Sequence, residues 1–428
     1  MSISASLPCR LKTSLFGSGE RAAFLVDSDG LPEPYSTLYV TMKLRNAGHS
    51  VSTQIAELNA INVLFAHAAE AGIELVPRFK AGDYLDRVEC EALRRSSQRN
   101  YGPSAKHQAV VIALGNGKRG YIPAVPPVAP STQYKRLSYF ARFLKWLGEE
   151  LAGDSGDGRA PVINAMVENI QALRPAQIDS KTDIESNTFS REDDALLCGL
   201  LAEGSLTNPF TPMVQVRNLL AIDLLRLLGK RRGEILNIRL SDINLSKRQI
   251  DIVRRADNVH DPRVNQPLVK TRSHTLPIGP SLVSLINQYL PLRRSVAGAS
   301  KHPYLLVTHK SGPTQGQPMT IEALKEVFRT IKRAEPRLSH LHPHLLRHFN
   351  GDATARAQQG DQATPGNSER DRRQRNFLAG RAPESTMDSH YTARETERHA
   401  NKTSLRTQEE LTKAIKSAHI SSEEPDSL

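Results

Sequence analysis

The chain has 428 residues, enough for two or three domains, and carries a formal net charge of +12, with 57 Lys and Arg against 45 Asp and Glu. That excess points to a polyanionic partner, with nucleic acid ahead of an anionic membrane surface. No apolar run approaches the roughly 20 residues that span a bilayer, and the opening MSISASLPCRLKTSLFGSGE lacks the apolar core and cleavage site of a secretory signal. The three scattered cysteines, Cys9, Cys90 and Cys198, form neither a disulfide framework nor a zinc-ligand spacing, so the expectation is a cytoplasmic protein.

In chain order, residues 1–34 read as an irregular N-terminal arm. From Thr37 to about Ala71 the apolar residues Ile55, Leu58, Ile61, Leu64 and Phe65 recur at helical spacing. The basic stretch Arg94 to Lys106 follows, then AVVIAL, GNGKRG and YIPAVPPVAP, which predict a strand, a glycine turn and a second extended segment. Gly115, Gly117 and Gly120 form a GxGxxG, but prolines follow where a dinucleotide fold needs a helix, so a hairpin turn is expected.

Ser131 or Thr132 is placed to cap an amphipathic helix that turns Leu137, Phe140, Phe143, Leu144 and Leu147 inward and leaves Lys135, Arg136, Arg142 and Lys145 outside. GDSGDG and the polar run 178–188 mark a linker, and the GDSG within it lacks a plausible nucleophile triad. Ser190 opens a capped helix. Val216, Leu220, Leu224 and Leu227 stripe another that ends near Gly229. Segments 249–253 and 268–278 predict the strands of a small hairpin, and helices resume from Ser281 and Thr320. The polar run 357–375 reads as a mobile loop. A helix over Gln408 to Ala418 precedes an acidic tail.

Four segments of the second half hold the residue types that phosphoryl transfer without a metal requires. LGKRRGEILNIRLSDI presents Arg231 directly after a buried helix. VKTRSHTLPI presents Lys270 on the hairpin. HPHLLRH places His344 and Arg347 three apart, on one helix face, and STMDSHYT presents Tyr391. Two arginines offer planar, permanently charged forks for the oxygens of a phosphorane, and a tyrosine hydroxyl needs a base to take its proton. Glu234 and Asp242 read as structural partners of nearby basic groups.

These segments resemble, in the same order, the boxes of the tyrosine recombinase (phage integrase-like) family. Arg231 matches the arginine of a GLRRGE-like box and Lys270 the hairpin lysine. His344 and Arg347 match the H-x-x-R box, and Tyr391 matches the nucleophile. The resemblance covers roughly residues 188 to 400, and the helix from Thr132 also resembles the family's core-binding domain. One departure stands in LAGRAPESTMDSHY, where the family carries a further His or Trp in an LGH-like box and Arg381 falls at that position.

The resemblance implies a mainly α fold with a small antiparallel β-sheet. It would be a two-domain DNA clamp, with a helical core-binding domain over 35–175 carrying an extended insertion. A mixed α/β catalytic domain over 186–400 and a C-terminal tail over 401–428 complete it. The implied catalytic set is Tyr391, Arg231, Lys270, His344, Arg347 and Arg381. The implied activity is cleavage and rejoining of double-stranded DNA through a 3′-phosphotyrosine, with no cofactor, metal or ATP. Implied partners are three further copies on two DNA sites and an accessory DNA-bending protein, with a place on the bacterial nucleoid when bound. A type IB topoisomerase-like enzyme acting on one site, and an inactive DNA-binding protein on the same fold, stay open as alternatives. A metal at His340, His342, His344 and His348 is disfavoured, since Leu345 stands where HExxH needs a glutamate and Arg347 would repel a cation.

Overall fold

A computed structural model of the chain describes residues 7–101, 110–113, 119–122, 126–153, 158–176, 188–269, 271–360, 367–382 and 385. The chain divides into two compact units, Met1–Asp179 and Ser180–Leu428. Among the described residues the fold is mainly helical, with small antiparallel sheets, and no helix is long and apolar enough to cross a membrane.

The first unit opens on an antiparallel hairpin, β1 (Arg10–Leu15) and β2 (Arg21–Val26), where an irregular arm was expected. The hairpin is held because Ala23 and Leu25 are fully buried in the unit's core. Helix α2 (Val51–Ala71) pins it with polar side chains. Gln54 Oε1 accepts from Ala23 N at 3.1 Å, and Asn62 bonds both the N–H and the carbonyl of Cys9. These partners lie 31 and 53 residues away in sequence, beyond the reach of local pattern.

The helix expected from Thr37 is broken. Pro34–Tyr39 forms α1, Val40–Arg45 a π-helical turn, and Gly48 at φ +71° lets the chain change direction before α2. Next come α3 (Leu75–Lys80) and α4 (Arg87–Ser97), the latter started by a reciprocal cap between Asp86 and Glu89. Strands β3 (Val110–Ala113) and β4 (Arg119–Ile122) pair antiparallel, the hairpin reading of the glycine-rich stretch.

Helix α5 (Pro130–Ala152) starts on Pro130 rather than on a Ser131 or Thr132 cap, because proline's fixed φ suits the first helical position. Its expected face is buried: Leu137, Phe140, Phe143, Leu144 and Leu147 expose at most 1%. Three of the four outer basic residues have partners within the unit. Arg136 donates to the carbonyls of Ser97 and Arg99, and Arg142 pairs with the buried Glu57, which also accepts from Tyr39 Oη at 2.8 Å. Lys145 faces Glu149 one turn on at 3.8 Å, and Lys135 is exposed. Helix α6 (Ala160–Ala172) packs Ile163, Met166 and Ile170 into the same core.

The second unit begins with α7 (Arg191–Leu201). Ser190 Oγ accepts from Asp193 N at 3.0 Å, and Asp193 answers the Ser190 N–H at 2.9 Å. In α8 (Pro212–Leu228) the buried stripe is Leu220, Ala221, Leu224 and Leu225, while Leu227 turns outward. A one-turn helix, α9 (Arg232–Ile235), leads to a three-stranded antiparallel sheet in place of the expected two-strand hairpin. Its strands are β5 (Ile243–Asn244), β6 (Gln249–Ile252) and β7 (His274–Pro277). Ile250 pairs with Leu276 across the sheet, and both are buried.

Helices α10 (Pro280–Ser295) and α11 (Ile321–Ala334) close the core around Ile286, Tyr289, Leu324 and Ile331. Helix α12 (Pro343–Gly360) carries the H-x-x-R box. Of the segment read as a mobile loop, 357–375, residues 357–360 end α12 and 367–375 form most of α13 (Asn367–Leu378), while 361–366 lie outside the described residues. Its polar composition hid the helix, which is anchored through its C-terminal end rather than by a long apolar face. The helix expected at Gln408 to Ala418 lies outside the described residues, as do residues 154–157 of the GDSG stretch.

Candidate active site

The arginine turn is built by a change of chain direction that only glycine makes cheaply. Helix α8 ends at Gly229 in the left-handed region (φ +61°), and the chain then runs extended through Arg231 into α9. Arg231 is half-buried. Its N–H donates to Glu234 Oε2 at 2.9 Å and its guanidinium to Oε1 at 3.1 Å. Glu234 is 1% exposed and also faces Arg347 at 3.6 Å and Thr271 Oγ1 at 3.1 Å. One buried carboxylate therefore joins the turn, the hairpin segment and α12. Gly233 is needed for the same junction, since a Cβ there would meet the Leu268 carbonyl at 2.5 Å.

Arg347 reaches inward from α12 and is 3% exposed. It donates to the Gly229 carbonyl at 2.9 Å and to the Ala379 carbonyl at 3.3 Å, which fixes the plane of its fork. His344, one turn earlier, keeps its side chain at the surface and stands edge-on to His348, with ring centroids 4.6 Å apart. The atoms crowding His344, followed by the charges of Arg347 and Arg231 and then His342 and Arg381, hold its pKa below the ordinary histidine value. It is therefore neutral, with a ring nitrogen able to take a proton, at neutral pH.

Arg381 enters from the end of α13. Gly380 adopts φ +67°, and the N–H groups of Gly380 and Arg381 return to the Phe377 and Asn376 carbonyls at 2.8 and 2.7 Å, a glycine-based helix cap. Arg347, Arg375 and Arg381 line one small pocket with Asn350 and Gly229. Arg231, His344, Arg347 and Arg381 thus come together from three separate elements. Lys270 and Tyr391 lie outside the described residues, although Val269 and Thr271 on either side of Lys270 are buried.

Sequence reasoning passed over two groups in this centre. Lys230 is fully buried, and His274 on β7 lies 3.1 Å from its Nζ. The only sequence signal was the run of three bases at 230–232, which does not reveal which of them turns inward. Burial, and then the charges of Arg347, Arg231 and Arg381 working against Glu234, push Lys230 down to about 7. The four histidines of the rejected metal reading include His342, whose Nδ1 accepts from Leu345 N at 3.2 Å. Among the described residues no group of three or more His, Cys, Asp or Glu is placed to hold a metal.

Residues 206–363 match the model of the phage integrase family. The matched residues lie within the second unit. The match embraces Arg231, Lys270, His344 and Arg347 and ends before Arg381 and Tyr391, so the family resemblance read from the boxes is borne out. Solved structures similar to the chain include a XerA recombinase, 20% identical, covering 62% of this chain and 72% of that one with a TM-score of 0.32. A Tn1549 transposon integrase in complex with transposon right end DNA is 15% identical over 62% and 85% of the two chains, with a TM-score of 0.35. A lambda integrase dimer bound to a core site is 12% identical over 89% and 93%, with a TM-score of 0.33. The resemblance to the family rests on the matched stretch 206–363, not on these distant superpositions. A search of curated proteins finds no match.

Proposed function

We propose that the chain is a site-specific DNA recombinase that cuts and rejoins strands through a 3′-phosphotyrosine on Tyr391. The observation that carries this reading is the meeting of Arg231, Arg347 and His344, inside the stretch that matches the integrase model, with Arg381. In the proposed step Tyr391 Oη attacks the phosphorus as His344 takes its proton. The bond to the 5′ oxygen breaks, and Lys270 supplies that oxygen with a proton. The arginines stabilise the non-bridging oxygens, where charge accumulates. The phosphotyrosine keeps the energy of the broken link, so a 5′-hydroxyl from a second strand reverses the step without ATP.

DNA is the proposed partner of both units. In the first unit Arg95 and Lys135 are exposed and available to phosphates. A homotetramer on two sites, assisted by a DNA-bending protein, follows from the same reading. A supercoiled plasmid carrying two copies of the cognate site tests it, incubated with a chelator and without ATP. Recombinant circles support the proposal. Relaxation without exchange would move the reading to the single-site enzyme, and binding without either product to the inactive DNA-binding protein.

A further inference from the structure

Lysine is rarely buried completely, yet Lys230 has no exposed surface and stands next to Arg231. Its Nζ donates to the carbonyl of Leu378, the last residue of α13, and meets His274 Nε2 at 3.1 Å. His274 Nδ1 lies 2.8 Å from the Arg272 carbonyl. That assigns the ring proton to Nδ1 and leaves Nε2 to accept from the lysine.

The last carbonyls of a helix have no partner within it. At the end of α13 the glycine cap takes those of Asn376 and Phe377. The next three are taken from outside: Leu378 by Lys230, Ala379 by Arg347, and Gly380 by the Arg272 N–H at 3.1 Å. Two cations at a helix C-terminus also suit the sign of its dipole. The residue that leaves this clasp is Arg381.

We propose that Lys230 is a positioning residue, which seats the end of α13, and with it Arg381, against the arginine turn. The proposal rests on the recombinase reading for its effect on cleavage, but not for its effect on the helix end. Lys230 is buried too deeply to touch DNA, so it acts through Leu378 and His274. The groups that face it are Arg231 beside it, Glu234 on α9, His274 on β7, Arg347 on α12 and Arg381. The contacts need two N–H donors, which both the charged and the neutral amine provide, so the clasp persists when the lysine loses its proton.

Lys230→Met in the full chain keeps the length of the side chain and removes the donors. Amide exchange over residues 376–382 without DNA should then speed up by about 10-fold or more, with α8 and α10 unchanged, because a local opening is made easier. DNA affinity should stay within about 2-fold of wild type, while single-turnover cleavage of bound substrate falls by about 10-fold or more. Unchanged exchange, or unchanged cleavage by an active wild type, overturns the proposal. Should Lys230→Met lose its cooperative melting, His274→Phe decides. It removes the acceptor while retaining a ring against Phe377, and faster exchange at 376–382 supports the proposal whereas wild-type exchange overturns it. A wild type that cleaves no DNA sinks the recombinase reading, and the exchange result then decides the clasp.

Discussion

A carboxylate with 1% exposure is costly to bury without partners, and Glu234 has three, Arg231, Arg347 and Thr271. Removing it leaves the Arg347 guanidinium buried without its acidic neighbour. Glu234→Ala should therefore cost about 3–5 kcal/mol, the range for breaking a buried ion pair, read from urea unfolding. Arg231, half-exposed at the mouth of the same group, should matter more to chemistry than to folding. Its replacement by alanine should slow cleavage by about 10² or more with a small change in unfolding midpoint. Near-normal cleavage would remove Arg231 from the proposed clamp.

Lys230 adds a pH signature. Its folded-state pKa is pushed down to about 7, whereas the unfolded chain holds the lysine proton up to about pH 10.4. Between those values the unfolded state binds the extra proton, so stability rises with pH, by at most about 1.4 kcal/mol per unit from this group. Unfolding free energies measured from pH 7 to 10 should show that slope in wild type and lose it in Lys230→Met. An equal slope in both proteins would place the lysine's titration elsewhere.

At the scale of elements, the end of α13 depends on Gly380. A Cβ there would lie 2.5 Å from His274 Cε1, in a left-handed conformation that L residues avoid. Gly380→Ala should lower the melting temperature and slow cleavage together, and a variant with both unchanged would deny the clasp its place in the site. The helices that were legible beforehand are those with their own local signals. Helix α5 shows its apolar face in the spacing of Leu137, Phe140, Leu144 and Leu147. Helix α7 shows its start in Ser190 and the acidic first turn.

What was not legible depends on distant partners. The β1–β2 hairpin is held by Gln54 and Asn62 from α2. Helix α13, nearly all polar, is held by donors from Lys230, Arg272 and Arg347 at its carbonyl end. The long run between β6 and β7 is held by Arg263, which pairs with Asp261 and donates to the Leu236 and Met319 carbonyls. Within the site, motif order brought Arg231, His344, Arg347 and Arg381 into view. It could not separate the buried Lys230 from its two basic neighbours, because inward direction is set by the Gly229 turn and not by residue type.

For the whole molecule, the net charge of +12 makes salt the control on binding. With six to ten phosphate contacts, log affinity should fall against log salt with a slope of about −5 to −9. A slope near zero would remove DNA as the partner of this charge. The most direct test of the central claim uses a nicked suicide substrate built on the cognate site, from which the freed strand diffuses away. Wild type and Tyr391→Phe are compared under denaturing conditions. The account predicts a covalent protein–DNA adduct from wild type alone, with the phosphate on the Tyr391 peptide by mass spectrometry. An adduct from Tyr391→Phe, or none from a wild type that binds the same DNA tightly, would contradict it.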